Sequence, residues 1–122
     1  MEPKLLLVYG ILKRGFALDL AHHGAKFISN AVLPNAQLYW IGDRAGVGLR
    51  FEDTKIPARG EVWEIPDRLW RWLDGIEQNG FCYTRKVVTT KCIQIDEDVQ
   101  AWVYEHTFPA MRYTDPIPMN EF

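Results

Sequence analysis

The apolar runs of this 122-residue chain are short, and that constrains its fold more than any other feature. None approaches the ~20 residues of a membrane-crossing helix. Leu5-Leu6-Leu7-Val8 is too short for the apolar region of an export signal. The chain is therefore expected to be soluble, without a membrane role, and to remain in the cytoplasm. Short apolar runs cut by Gly, Pro, Asn and Asp predict short strands. Lys4 to Tyr9 reads as a buried strand stopped at Gly10, followed by a loop from Gly10 to Gly15 and a short helix from Phe16 to His23. Lys26 to Leu33 and Gln37 to Ile41 read as strands around Pro34-Asn35. Residues 42–57 read as loop-rich, with Val47 to Phe51 extended, and Gly60 to Ile65 as a strand, with Val62 and Ile65 apolar and Glu61 and Glu64 polar around Trp63.

Only one segment carries a clear 3.6-residue period. After Pro66, with Asp67 as N-cap, Leu69, Trp72, Leu73 and Ile76 fall on one helical face, and Asn79-Gly80 ends the run. Phe81 to Ile95 and Val99 to His106 then form a hairpin around Asp96-Glu97-Asp98. The last sixteen residues hold three prolines and read as an irregular surface tail. Strands outnumber helices, so the class is α+β with a mostly antiparallel or mixed sheet. Composition fits one domain: 48% of residues are hydrophobic and no linker or repeat interrupts the chain.

Fourteen basic and sixteen acidic residues give a net charge of −2 without a basic stripe, which argues against nucleic-acid binding. Cys82 and Cys92 flank one predicted strand and would lie ~33 Å apart at ~3.3 Å per residue, too far for a disulfide. They read as reduced, half-buried thiols. The histidines His22, His23 and His106 show no metal-ligand spacing, so no metal is expected, and surface or capping roles fit them. Trp63, Trp70, Trp72 and Trp102 read as core residues. No Ser or Cys occupies a nucleophile elbow.

Two places could carry chemistry. The Gly10–Gly15 loop leaves a strand and enters a helix, where main-chain N–H groups can face an anion; an ordinary turn has the same pattern. The helix carries Asp74 and Glu77. At ~100° per residue, Glu77 falls near Trp70 and about 40° from Leu73, at the edge of the apolar stripe, whereas Asp74 points toward solvent. Partial desolvation and the helix C-terminus would both lift Glu77 above the reference carboxylate value of ~4.3, toward the range of a general base. A surface glutamate on an amphipathic helix fits the same periodicity.

Five segments in order extend this reading. Val8-Tyr9-Gly10-Ile11-Leu12-Lys13-Arg14-Gly15 resembles the V-Y-G-S/T-L-x-R-G opening of the γ-glutamyl cyclotransferase superfamily. Arg59-Gly60-Glu61-Val62-Trp63-Glu64-Ile65 is similar to its central strand, Leu73-Asp74-Gly75-Ile76-Glu77 to its L-D-x-x-E segment, Tyr83-Thr84-Arg85-Lys86-Val87 to the Y-x-R strand that follows, and Gln100-Ala101-Trp102-Val103-Tyr104 to the closing strand. The length suits the short branch, which includes the γ-glutamylamine cyclotransferases and AIG2-like proteins. The resemblance implies a small mixed or antiparallel β-barrel flanked by short helices, Glu77 as the catalytic acid/base, and substrate binding by Tyr9, Gly10, Ile11, Leu12, Tyr83 and Arg85. It implies a γ-glutamyl amine or amino acid as substrate, 5-oxoproline and a free amine as products, and no cofactor; at this size a monomer is the simplest expectation. The alternatives are a non-enzymatic small-molecule or partner-binding module on the same fold, and an enzyme removing a γ-glutamyl protecting group. This chain departs from the family at Ile11, where Ser or Thr is usual, and at Gly46-Val47-Gly48, where a Tyr-Pro pair is expected.

Overall fold

A computed structural model describes residues 4–9, 20–41, 46–77, 83–106 and 113–121. Five strands close a barrel in the order β1-β5-β2-β6-β7: β1 (Leu5–Val8), β2 (Lys26–Leu33), β5 (Ala58–Glu64), β6 (Tyr83–Cys92) and β7 (Glu97–His106). Antiparallel ladders join the neighbours, and β1 closes the barrel on β7 in parallel, with Leu6 beside Trp102. A second sheet of three strands has the order β4-β3-β8, from β3 (Ala36–Ile41), β4 (Gly46–Phe51) and β8 (Tyr113–Pro116). The α+β class and the closed barrel implied by the resemblance both hold, and the sheet is mixed because of the β1–β7 pair.

The pleat sorts side chains onto two faces. Leu7, Val62, Ala31, Leu33, Cys92, Ala101 and Val103 form one buried cluster, to which the second sheet adds Ala36, Leu38 and Leu49, and the residue after β8 adds Ile117. Leu6, Val8, Trp63 and Tyr104 on the opposite face pack against Leu69 and Leu73, so the helix covers the outside of the barrel over β1, β5 and β7. Trp63 is fully buried, whereas Trp70, Trp72 and Trp102 are partly buried at the edge of this cluster.

Several boundaries differ from the sequence expectation. Pro66, not Asp67, stands at the N-cap, and no side chain caps the start; residues Asp67–Leu69 form a 3-10 turn before helix α1 (Trp70–Glu77). Pro66 fixes an extended backbone there, with φ −65° and ψ 145°, so the helix begins one turn late. The other helical segment is described only from Leu20 to His23, as a 3-10 turn; residues 10–19 and the helix stop at Asn79-Gly80 lie outside the described residues. Strand β6 ends at Cys92, not Ile95, and the turn is Ile93–Asp96. The cause is capture of this turn by β2: Ile93 donates its N–H to Asn30 O, and the Gln94 side chain accepts from both the Ser29 hydroxyl and the Asn30 N–H. Asp96 takes a φ of +50° to close the turn.

The tail is not irregular where it is described. Strand β8 pairs antiparallel with β3, and Asn120 is buried. Its side chain accepts the Leu38 N–H at 2.7 Å and donates to Ala36 O and Ile56 O at 2.7 and 2.8 Å. A short polar side chain that tolerates a φ of +55° can make this turn and stitch three backbone groups at once.

Candidate active site

Three chain ends converge at one end of the barrel. The parallel β1–β7 register places Leu6 beside Trp102. Two residues further along both strands come Val8 and Tyr104, and the Tyr9 hydroxyl donates to the Tyr104 carbonyl at 2.5 Å. Tyr9 is buried and leads directly into Gly10, Ile11 and Leu12. Those three predicted binding residues lie outside the described residues.

Helix α1 ends at the same place. Glu77, the predicted acid/base, is its last residue. One turn earlier, Asp74 accepts the Tyr104 hydroxyl on Oδ1 at 2.5 Å and faces the Arg85 guanidinium at 3.5 Å on Oδ2. Asp74 therefore does not point to solvent, as the helical wheel suggests, but into the contact between helix and barrel. The wheel fails here because the long side chains of Tyr104 and Arg85 reach beyond the apolar stripe to meet it.

Tyr83 and Arg85 start β6 on the face that carries Tyr104 and His106, each opposite its partner in the ladder: Tyr83 beside His106 and Arg85 beside Tyr104. Arg85 Cζ stands 4.6 Å from the centroids of both the Trp70 and the Trp102 rings. The Tyr83 hydroxyl donates to Val47 O at 3.1 Å, and its ring meets the His106 ring edge-to-face at 5.1 Å.

Two residues passed over in the sequence belong to this end of the molecule. His106 is 1% exposed rather than a surface or capping group. Burial, reinforced by the Arg50 charge, pushes its imidazole below the ordinary histidine value. Strand β4 covers it, and Gly48 permits the approach: a Cβ there would stand 2.6 Å from Ile41 Cδ1 and 2.9 Å from His106 Cβ. Within the Gly46-Val47-Gly48 departure, it is Gly48 that lets β4 lie close to β7. Glu61, read only as a polar residue of its strand, is 5% exposed, opposite Val8, and accepts the Trp63 indole N–H at 3.1 Å. Alternation correctly separates Glu61 from Val62 but gives no hint that both faces of a barrel strand are covered.

Among the described residues no group of His, Cys, Asp and Glu has the arrangement of a metal site, and no helix is long and apolar enough to cross a membrane. Cys92 is fully buried rather than half-buried, and burial is the chief cause that pushes its thiol up; Cys82 lies outside the described residues.

The sequence profile of the family described as "Gamma-glutamyl cyclotransferase, AIG2-like" matches residues 6–121. No curated protein matches the sequence. Among solved structures, an AIG2-like protein from Mus musculus superposes with a TM-score of 0.75 at 24% identity, covering 93% of this chain and 87% of that one. An uncharacterized protein from Pyrococcus horikoshii gives 0.72 at 21% identity over 98% and 90%. A structure described as a gamma-glutamyl cyclotransferase gives 0.74 at 17% identity over 93% and 71%. At these identities the structures speak for the fold, while the profile match over nearly the whole sequence decides the family: the chain belongs to the gamma-glutamyl cyclotransferase, AIG2-like family.

Proposed function

We propose that the protein is a single-domain γ-glutamyl cyclotransferase that releases 5-oxoproline and a free amine from a γ-glutamyl amine or amino acid. One observation carries the reading: the helix turn that bears Glu77 is held to Tyr104 through Asp74, and Tyr104 in turn holds Tyr9, the residue that opens the Gly10–Leu12 segment.

The chemistry follows from the substrate. The α-amine of the γ-glutamyl group attacks its own γ-carbonyl carbon, forming the C–N bond of a five-membered lactam. The bond from that carbon to the leaving nitrogen then breaks. Because attack is intramolecular, fixing the reactive rotamer supplies much of the rate enhancement. Glu77 takes a proton from the substrate ammonium and so frees the lone pair that attacks; ring closure releases a second proton from that nitrogen, the leaving nitrogen takes up both and departs as an ammonium, and the carboxylate ends the cycle as it began. Main-chain N–H groups of Gly10, Ile11 and Leu12 hold the substrate α-carboxylate. Ile11 is compatible with that role because the contact is made by backbone rather than by a hydroxyl. No step calls for a metal or an organic cofactor.

The test is 5-oxoproline release from a panel of γ-glutamyl amino acids and γ-glutamylamines, beside Glu77→Gln. The expected result is release from at least one member and a fall in kcat of about 10²–10⁴-fold in Glu77→Gln. No release by folded protein on any member would transfer the assignment to the binding-module reading.

A further inference from the structure

Asp74 is where α1, β6 and β7 meet. It takes the Tyr104 hydroxyl on one oxygen and the Arg85 guanidinium on the other. Tyr104 and Arg85 are direct cross-strand neighbours, so two rungs of one ladder reach a single carboxylate. Arg85 is held by more than charge, because its planar group lies between an indole of α1 and an indole of β7. The Tyr104 carbonyl completes the chain of contacts by accepting from Tyr9.

Apolar packing does not need this arrangement. Leu69 and Leu73 already seat the helix on Leu6, Val8 and Tyr104. A carboxylate in that contact is costly to desolvate, and one placed three residues before Glu77 on a helix brings like charges together. A surface ion pair would contribute little, but here the side chains are only 20% and 29% exposed and share a hydroxyl bond and two ring contacts.

We propose that Asp74 is a positioning residue for Glu77: through Tyr104 and Arg85 it fixes the last turn of α1 against the end of β1, and the Arg85 guanidinium offsets the charge of Asp74. Arg85 then serves to hold Asp74 and does not bind substrate. The role rests on the cyclotransferase reading, but the fixing of the turn can be measured without turnover.

The informative variant is Tyr104→Phe, which removes one hydroxyl and changes no charge. In both Tyr104→Phe and Asp74→Asn, kcat for 5-oxoproline release is expected to fall about 10–100-fold with KM within about twofold, since sub-ångström misplacement of a catalytic group costs rate more than binding. The double variant is expected to lose no more than the more impaired of the two single variants, because the Tyr104–Asp74 bond is lost in both. Arg85→Lys keeps the charge without the planar stack and is expected to retain more kcat than Arg85→Gln. Lys91→Ala, on the outer hairpin where Lys91 pairs with Asp96, is the unaffected control. Independently of turnover, hydrogen exchange at the Glu77 N–H is expected to quicken in Tyr104→Phe, and the ¹³C titration of the Glu77 carboxyl to shift, since loss of the hydroxyl loosens the turn and alters the Asp74 carboxylate beside it. Single variants that fold and keep wild-type kcat, additive losses in the double variant, or a Glu77 titration that superposes on wild type would overturn the proposal. If wild type releases no 5-oxoproline at all, the cyclotransferase reading fails, and the hydrogen exchange of the Glu77 N–H decides whether the turn is held by Asp74.

Discussion

Gly60 shows how a single position can hold the barrel shut. It is buried on β5, and a Cβ there would collide with the Val8 carbonyl oxygen and crowd Leu7 Cδ1 at 3.1 Å. A flexible side chain could move aside, but the Val8 carbonyl is backbone of the strand that closes the barrel. Gly60→Ala is therefore expected to destabilise by about 1–3 kcal/mol, the usual cost of overpacking, read as a lowered denaturant midpoint at unchanged m-value. The sequence marks this glycine by its place in the central-strand motif, yet the reason for it, close approach of two backbones, is visible only once β1 and β5 are paired. Asp74 teaches the same lesson from the other side. Periodicity places it off the apolar stripe, and it is the tyrosine and arginine of two distant strands that make it an interior partner.

At the scale of elements, the C-terminal segment is tied to β3 by one side chain more than by its own ladder. Strand β8 has only four residues, and its register with β3 shifts between Tyr39 and Ile41. Asn120 adds three hydrogen bonds to Leu38, Ala36 and Ile56. Asn120→Gly isolates that contribution, since glycine accepts the positive φ and removes only the side chain. The expected cost is about 2–4 kcal/mol, with faster hydrogen exchange at the Leu38 N–H, which donates to Asn120 Oδ1. An unchanged Leu38 exchange rate would show that β8 holds without the stitch. Three prolines in sixteen residues suggest an irregular tail, and no composition rule reveals that a single asparagine anchors it. Helix α1, by contrast, is legible from Leu69, Leu73 and Ile76, apart from the turn that Pro66 delays.

For the molecule as a whole, His106 links stability to pH. Burial disfavours its charged form, so its folded value lies below the ordinary ~6.5 that it has when unfolded. The unfolded chain then binds more protons below that value, and stability contributed by the neutral ring is present above about pH 6.5 and lost as pH falls through it. Arg50 acts in the same direction, while Tyr83 and the Gly48 backbone enclose the ring. The denaturant midpoint is expected to fall between about pH 7.5 and about pH 5, and to fall less in His106→Phe. Equal pH dependence in the two proteins would exclude His106 as the source.

The sequence by itself determined most of the strands, helix α1, the α+β class and the family, because period, turn residues and ordered motifs are local properties of the chain. Tertiary structure decided that the strands close with β1 parallel to β7, that Glu61 and His106 are buried, and that Asp74 belongs to Tyr104 and Arg85. Those outcomes depend on which distant strands become neighbours. Pairing of strands far apart in sequence is set by the free energy of burying all their faces together, and no single segment carries that information.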